Sequence, residues 1–490
     1  MTDTLSRAPV RLGWRLVLLG FSQLIIAVDY NIVYVALPEI GTDLGFTAQS
    51  LQWVVSAYAV GYGGLLLLGG RMVDRLGARR VWFAAIVIYG LSSLVAGFAN
   101  SPGTLIAARA VQGAGGALLF PATLTLIFIG FPEGPERNRA LSVWGAIGGG
   151  GLAAGALLGG LFTDWWGWES VLFVNVPLTA LAFLAGIKLL PADAPAQKGI
   201  RDFDVPGALL ATAGATLIVF GLASGPDSGW TSFQSAGTEA IGAVLLVVFF
   251  LVEARTRSPL MPLRLVRTRT LAVTMAVAFL FMATLSTGYY ILTTYLQPVL
   301  GYSPIKAGLA FLPLCAFSMA AGQLTAPLLN KFGLRKVFTG TLLVNGAGVA
   351  ATALGMSVGG SFWALMPGIF LWGFGGGVGF TVTFAAAGMG ISPMEQGVAS
   401  SMASTLAQIG GAVGLAALVA VANHGIDYDA APAVTDIVDG LQLAGVIAGI
   451  VVAVGAVITF FFLKDPEPPT AAVAESGVTE ADQTTGAATA

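Results

Sequence analysis

The chain has 490 residues, 56% of them hydrophobic and 10% charged, with a formal net charge of −2. A soluble domain carries roughly 25% charged residues and cannot bury this much apolar surface, so a soluble enzyme is excluded, and the near-neutral balance gives no basis for nucleic-acid binding. One cysteine, Cys315, and one histidine, His424, leave no disulfide framework, thiolate metal site or histidine-centred chemistry.

In lipid, a crossing segment must satisfy its own backbone hydrogen bonds, which takes a helix of about 20 apolar residues or a closed barrel. The apolar runs here are long and lack the two-residue alternation of barrel strands. Apolar runs read against turn and charge signals predict an all-α integral membrane protein with spans over 14–38, 51–70, 81–99, 104–128, 140–161, 170–190, 205–224, 237–254, 270–298, 306–329, 337–355, 361–385, 397–422 and 440–463. The stretch Trp14 to Leu37 is too long for a signal core and has no small-residue cleavage site after it, so it reads as the first retained span.

Lys and Arg cluster before span 1 and in every even-to-odd connection. Examples are Arg71, Arg75, Arg79 and Arg80, then Arg255, Arg257, Arg264, Arg267 and Arg269, then Lys331, Arg335 and Lys336. The opposite loops carry acids such as Glu39, Asp43, Asp164 and Glu169. Because basic loops stay on the cytoplasmic side, both termini are expected in the cytoplasm, with an even number of spans.

The stretch Gly70-Arg-Met-Val-Asp74-Arg75-Leu-Gly77-Ala-Arg79-Arg80-Val81 recurs as Ala326-Pro-Leu-Leu-Asn330-Lys331-Phe-Gly333-Leu-Arg335-Lys336-Val337. Each copy joins an even span to an odd one, which predicts two pseudo-symmetric six-helix bundles with two extra transmembrane helices between them. The expected organisation is a cytoplasmic tail (1–13), an N-terminal bundle (14–190), a linker (191–204), the extra pair (205–254), a basic loop (255–269), a C-terminal bundle (270–463) and a disordered acidic tail (464–490).

At this point the residues resemble the major facilitator superfamily, in its fourteen-span drug:proton antiporter branch. The resemblance covers the chain from about Trp14 to Leu463. It rests on the Gly70 to Val81 loop and on Arg109-Ala-Val-Gln112-Gly113-Ala-Gly115-Gly116 with Pro121. Val28-Asp29-Tyr30-Asn31-Ile-Val-Tyr34-Val-Ala-Leu-Pro38 and Trp168-Glu169-Ser170-Val-Leu-Phe-Val-Asn175-Val-Pro177 complete it. Two positions depart from the branch: span 5 reads Gly155-Ala156 where Gly-Pro is usual, and span 6 opens with Glu169-Ser170 where Arg-Trp is common. The resemblance implies a secondary transporter of the bacterial cytoplasmic membrane, working by alternating access and linking a buried arginine to proton coupling.

Asp29 sits deep in span 1, where an ionisable group is costly enough to point to function, here proton loading or attraction of a cationic substrate. Arg109 is the one basic residue at depth and stays charged, so it requires a partner such as Asp29, Gln112 or Tyr34. The alternative for both is a static pair holding helices together. Polar residues at helical spacing mark candidate cavity faces: Thr287, Tyr290, Thr294 and Gln297 in span 9, and Ser401, Ser404 and Gln408 in span 13. Tyr30, Asn31, Tyr34, Tyr58, Phe374 and Phe384 complete the expected cavity for an amphipathic substrate, although packing against neighbouring helices accounts for such residues equally well.

Gly70, Asp74, Arg75, Gly77, Arg79 and Arg80, with Asn330, Lys331, Gly333, Arg335 and Lys336, read as a cytoplasmic gate in which the glycines allow tight turns. No nucleotide-binding cassette occurs, so the energy source expected is a proton gradient, with no cofactor and no metal. The expected partners are a small-molecule substrate, protons and lipid, with the chain working as a monomer. Export of amphipathic or cationic compounds is the leading reading; proton-coupled uptake, a dedicated metabolite exporter and a non-transporting membrane sensor are the alternatives.

Overall fold

The computed structural model describes residues 7–47, 50–131, 135–193, 204–256, 259–389, 391, 396–424 and 433–463. Residues 194–203 of the predicted linker (191–204) and the tail beyond 463 lie outside the described residues.

All described elements are helical. The first seven are α1 (Arg7–Leu44), α2 (Trp53–Leu76), α3 (Ala78–Gly97), α4 (Pro102–Gly130), α5 (Pro135–Trp166), α6 (Glu169–Phe173) and α7 (Asn175–Leu189). Then come α8 (Val205–Ser228), α9 (Thr238–Arg255), α10 (Leu263–Val266), α11 (Arg269–Thr294), α12 (Pro304–Gln323) and α13 (Thr325–Phe332). The last four are α14 (Leu334–Leu354), α15 (Phe362–Gly388), α16 (Gln396–Ala422) and α17 (Val434–Phe462). Among the described residues thirteen stretches are long and apolar enough to cross a membrane. The 32-residue α5 lies between two of them and completes fourteen.

Local chemistry sets the ends. Ser101 caps α4 by accepting from the Thr104 amide with Pro102 at the first turn, and Ser303 caps α12 ahead of Pro304 in the same way. The span read as 270–298 ends in a π-helical turn, Tyr295–Val299, because Pro298 has no amide proton and its ring crowds the preceding turn. The span read as 306–329 divides at Leu324 into α12 and α13.

Gly77 and Gly333 take φ values of 97° and 79°, so the two copies of the repeat make the same turn, between α2 and α3 and between α13 and α14. Side chains avoid that left-handed region, which is why glycine stands at both. At Gly77 there is a further reason, since a Cβ there would meet the Asp193 carboxylate.

The helices sort into two bundles. In the N-terminal one, α2 packs on α4, α1 on α5 and α3 on α4 and α7; in the C-terminal one, α14 packs on α15 and α17, and α11 on α16. Two seams join them, α2 with α16 and α5 with α12. Gly63 allows the first, as a Cβ there would lie 2.6 Å from that of Gln408, and Gly160 allows the second by receiving the Pro304 carbonyl. Helix α8 lies along the first seam, with Ala215 and Val219 against Ala59 and Val60 of α2 and Ala412 and Ala416 of α16. Helix α9 packs on α8 and is the least buried span.

One core cluster crosses between the bundles. It joins Tyr34, Leu37 and Ile40 of α1 and Trp168 to Tyr289, Leu296, Phe311 and Trp372. By the charge-derived orientation these lie in the outer half of the membrane. Toward the cytoplasm each bundle also has a core of its own, one built on Trp82, Tyr89 and Leu126, the other on Phe281, Phe338 and Val378. Beside α8 a further cluster joins Leu67 of α2 to Met275 of α11 and Met402 of α16, so the bundles are closed against each other outside and also touch along α8 on the cytoplasmic side.

Candidate functional site

Asp29 lies at the centre of α1 with no exposed surface, and Arg109 of α4 is 1% exposed. Arg109 Nη1 donates to Asp29 Oδ2 at 2.7 Å and to Gln112 Oε1 at 2.6 Å, while its Nε donates to the Val54 carbonyl of α2 at 3.0 Å. Asp29 Oδ1 accepts from Gln112 Nε2 at 2.8 Å and from Asn175 Nδ2 of α7 at 2.7 Å. Gln112 Nε2 also donates to Ser93 Oγ of α3 at 2.8 Å. The guanidinium lies 4.5 Å from the centre of the Tyr58 ring, whose hydroxyl is 3.4 Å from that of Tyr89.

Three helices, α1, α4 and α7, therefore meet at one carboxylate, and α2 and α3 hold its partners. The spacing Arg109–Gln112 puts both α4 side chains on one face, one turn apart. A charge at this depth persists only when paired and hydrogen-bonded, and Asp29 has three donors on its two oxygens. Protonation at Oδ2 would remove the acceptor of the Arg109 bond and leave the guanidinium, which cannot lose its proton, to find another. The group can therefore switch how α1 is held to α4.

Beside this network runs an aromatic chain that crosses the bundle interface. Tyr30 and Tyr34 have ring centres 6.3 Å apart, Tyr34 meets Tyr289 of α11 at 5.4 Å, and Tyr289 stacks on Phe311 at 5.5 Å and meets Trp372 edge-on at 5.6 Å. Tyr30 is half-buried, whereas the Tyr34 hydroxyl and Trp372 Nε1 are buried without a hydrogen-bond partner. Asn31 and Cys315 flank the Tyr289 hydroxyl. The result is a mostly apolar contact packed between the bundles, with a few polar atoms buried in it.

The other expected cavity residues are dispersed. Gln297 donates to the Val35 carbonyl at 2.7 Å and so fastens the outer closure. Thr287 is buried and bonds back to the Ala283 carbonyl of its own helix. Tyr290 is buried in the crossing core, and Thr294 is half-buried near the outer end of α11. Gln408 and Ser404 lie on α16, Gln408 against Gly63 of α2 with its Oε1 buried and unpartnered. Phe374 packs on the core of the C-terminal bundle, and Phe384 pairs with Phe380 at 4.8 Å.

At the expected gate, the Arg79 and Arg80 amides at the start of α3 each donate to Asp193, both at 2.9 Å. The side chain of Asp74 lies outside the described residues. Arg71 donates to the Pro259 carbonyl at 2.7 Å, and Arg75 is half-buried at the end of α2. Gly70 has open space around it. In the second copy Asn330, Lys331 and Lys336 are exposed, and Arg335 lies over the Phe460 ring at 4.6 Å. Among the described residues no group of three or more His, Cys, Asp or Glu is placed to hold a metal.

Residues 19–415 and 316–485 match the family model described as Major Facilitator Superfamily. The chain belongs to the major facilitator superfamily. Among relatives, it is 38% identical to the puromycin resistance protein pur8 of Streptomyces alboniger, over 91% of this chain and 90% of that one. It is also 38% identical to the cephamycin export protein CmcT of Amycolatopsis lactamdurans, over 84% and 85%. The tetracenomycin C resistance and export protein of Streptomyces glaucescens is 30% identical over 81% and 73%.

Among solved structures, the peptide transporter POT in complex with sulfate superposes with a TM-score of 0.65 at 17% identity, covering 91% of this chain and 95% of that one. A variant of the nucleoside transporter NupG gives 0.63 at 13% identity, covering 92% and 100%. These similarities carry the fold. This superfamily member is a small-molecule transporter with multiple spans in the cytoplasmic membrane, and it is not an enzyme.

Asn175, Ser93, Tyr89, Tyr289, Trp372 and Asp193 were absent from the residues singled out by sequence as site or gate. Asn175 had the clearest signal, being a lone amide in an apolar span. Tyr289 adjoins Tyr290 and differs from it only in which way the helix turns it.

Proposed function

We propose that this transporter is a proton-coupled antiporter that expels amphipathic, drug-like molecules, cationic ones included, from the cytoplasm by rocking one bundle against the other. The observation that carries the reading is Asp29, fully buried and held by Arg109, Gln112 and Asn175, directly beside aromatic residues that join the two bundles. Substrate reaches the half-buried Tyr30 from the cytoplasm in the inward-open state of the cycle and leaves from the outward-open state. There a proton arriving at Asp29 from outside weakens its hold on Arg109, α1 shifts against α4, and Tyr34 transmits the shift to Tyr289 across the interface, turning the carrier inward. Release of that proton into the cytoplasm restores the pair for the next substrate.

Support for export comes from relatives named for antibiotic resistance or export. In this reading no cofactor is used, the proton gradient supplies the energy, and one chain suffices because the path lies between its own halves.

The test uses inside-out vesicles with an acidified lumen and a panel of fluorescent cationic and neutral amphipathic compounds. Accumulation that an uncoupler abolishes is the expected result. Flux that ignores the pH gradient, or that needs the opposite gradient, would overturn the proposal.

A further inference from the structure

A pair of carboxyl groups is buried away from Asp29, at the cytoplasmic end of the extra helices. Asp204 caps α8 and is 5% exposed; Glu253, near the end of α9, is 2% exposed. One oxygen of each is accounted for: Asp204 Oδ1 accepts from the Gly207 amide at 2.8 Å and Glu253 Oε2 from the Met261 amide at 3.0 Å. The other two, Asp204 Oδ2 and Glu253 Oε1, are buried with no donor. The two carboxyl groups are near enough to act on each other. Leu67, Ala208, Phe249, Leu260, Leu265 and Met402 enclose the region.

Two ionised carboxylates would oppose like charges and bare acceptors away from water, which is unfavourable on both counts. A single proton resolves both, since one carboxyl then donates to the other. Among the described residues no cationic side chain donates to either bare oxygen. The cationic residues on the packed elements are Arg71 and Arg75 of α2, Arg255 of α9, Arg264 of α10, Arg267 just beyond it, and Arg269 of α11; α16 has no charged residue. Arg71 donates to Pro259 and Arg269 to the Phe461 carbonyl. Beside burial, Asp204 and the amides of Met261 and Leu260 act on Glu253.

We propose that Asp204 and Glu253 form a second proton-binding site, sharing one proton taken from the cytoplasmic side, independent of Asp29. The proton joins the start of α8 to the loop after α9, and Arg71 ties that same loop to α2. Losing it drives the two carboxylates apart and loosens the extra hairpin from the N-terminal bundle.

The test is pH-difference infrared spectroscopy of the full-length protein in lipid nanodiscs, in an Asp29→Asn background so that the first site contributes nothing. A protonated-carboxyl band that titrates with pH, is present near neutrality and disappears in Glu253→Gln is the expected result. Gln at 253 keeps an acceptor for Met261 and gives a donor to Asp204, so it mimics the protonated state. Asp204→Asn, which retains the cap on Gly207, is a second variant expected to abolish the band. No such band in the Asp29→Asn background, or a band that both variants leave unchanged, would overturn the proposal without touching the role of Asp29.

Discussion

Asp29→Asn isolates the proton-switching step. The amide oxygen can still accept from Gln112 and Asn175, which places the new Nδ2 against Arg109 Nη1, donor facing donor, where 2.7 Å separated carboxylate and guanidinium. Arg109 keeps Gln112 Oε1 and the Val54 carbonyl but has no counter-charge while 1% exposed. Removing one partner of a buried pair costs about 3–5 kcal/mol. At ~1.4 kcal/mol per tenfold, that shifts the balance between conformations by roughly a hundredfold to several thousandfold.

In reconstituted vesicles the wild type should drive substrate uphill faster as the pH gradient steepens. The variant should show only gradient-independent exchange, with a lowered melting temperature. Arg109→Gln in addition should restore thermal stability while leaving coupling absent, because the unpaired charge is gone. Pumping by Asp29→Asn at the wild-type rate, with the same dependence on the gradient, would refute the argument.

Three further outcomes follow from other contacts. Gln297→Ala removes the bond to the Val35 carbonyl, about 0.5–1.5 kcal/mol of outer closure, and should raise the outward-open population roughly twofold to tenfold. Labelling of an engineered external cysteine in a Cys315→Ser background reads that change. Tyr289→Ala, which takes away the ring touching Tyr34, Phe311 and Trp372, should raise the half-saturating concentration for aromatic substrates more than for aliphatic ones in transport assays. Gly77→Ala forces a side chain to a φ of 97° and into Asp193, so it should cost about 1–2 kcal/mol from the backbone and roughly 1 more from the lost cap on α3, read as a fall in melting temperature.

Span positions were legible because lipid imposes a length and an apolar composition on every crossing, and loop charge then fixes the side. Asp29 and Arg109 stood out because no other acid or base lies so deep in its bundle. Asn175 and Ser93, which complete the cage around them, stand among few polar neighbours (Thr179; Tyr89 and Ser92), stripes too short to tell a cage from helix packing. The span 9 stripe was correctly periodic yet mixed in use, since Thr287 bonds to its own helix whereas Gln297 crosses to the other bundle. Asp193 sits in a stretch that reads as featureless linker, and its value arises only when the turn at Gly77 brings the first amides of α3 to it. Asp204 and Glu253 read as loop and span-end acids; their meeting depends on how the loop after α9 folds back.

Helix α8 also changes what the lipid can see. By lying across α2 and α16 it covers one of the two lines where the bundles meet, so hydrocarbon chains reach a junction between bundles only along α5 and α12. A solute already dissolved in the bilayer therefore faces a one-sided molecule. In the rocking motion proposed above, that flank would open against lipid and the other against a protein bearing of alanine and valine, so greasy compounds moving laterally would meet a single face of the transporter.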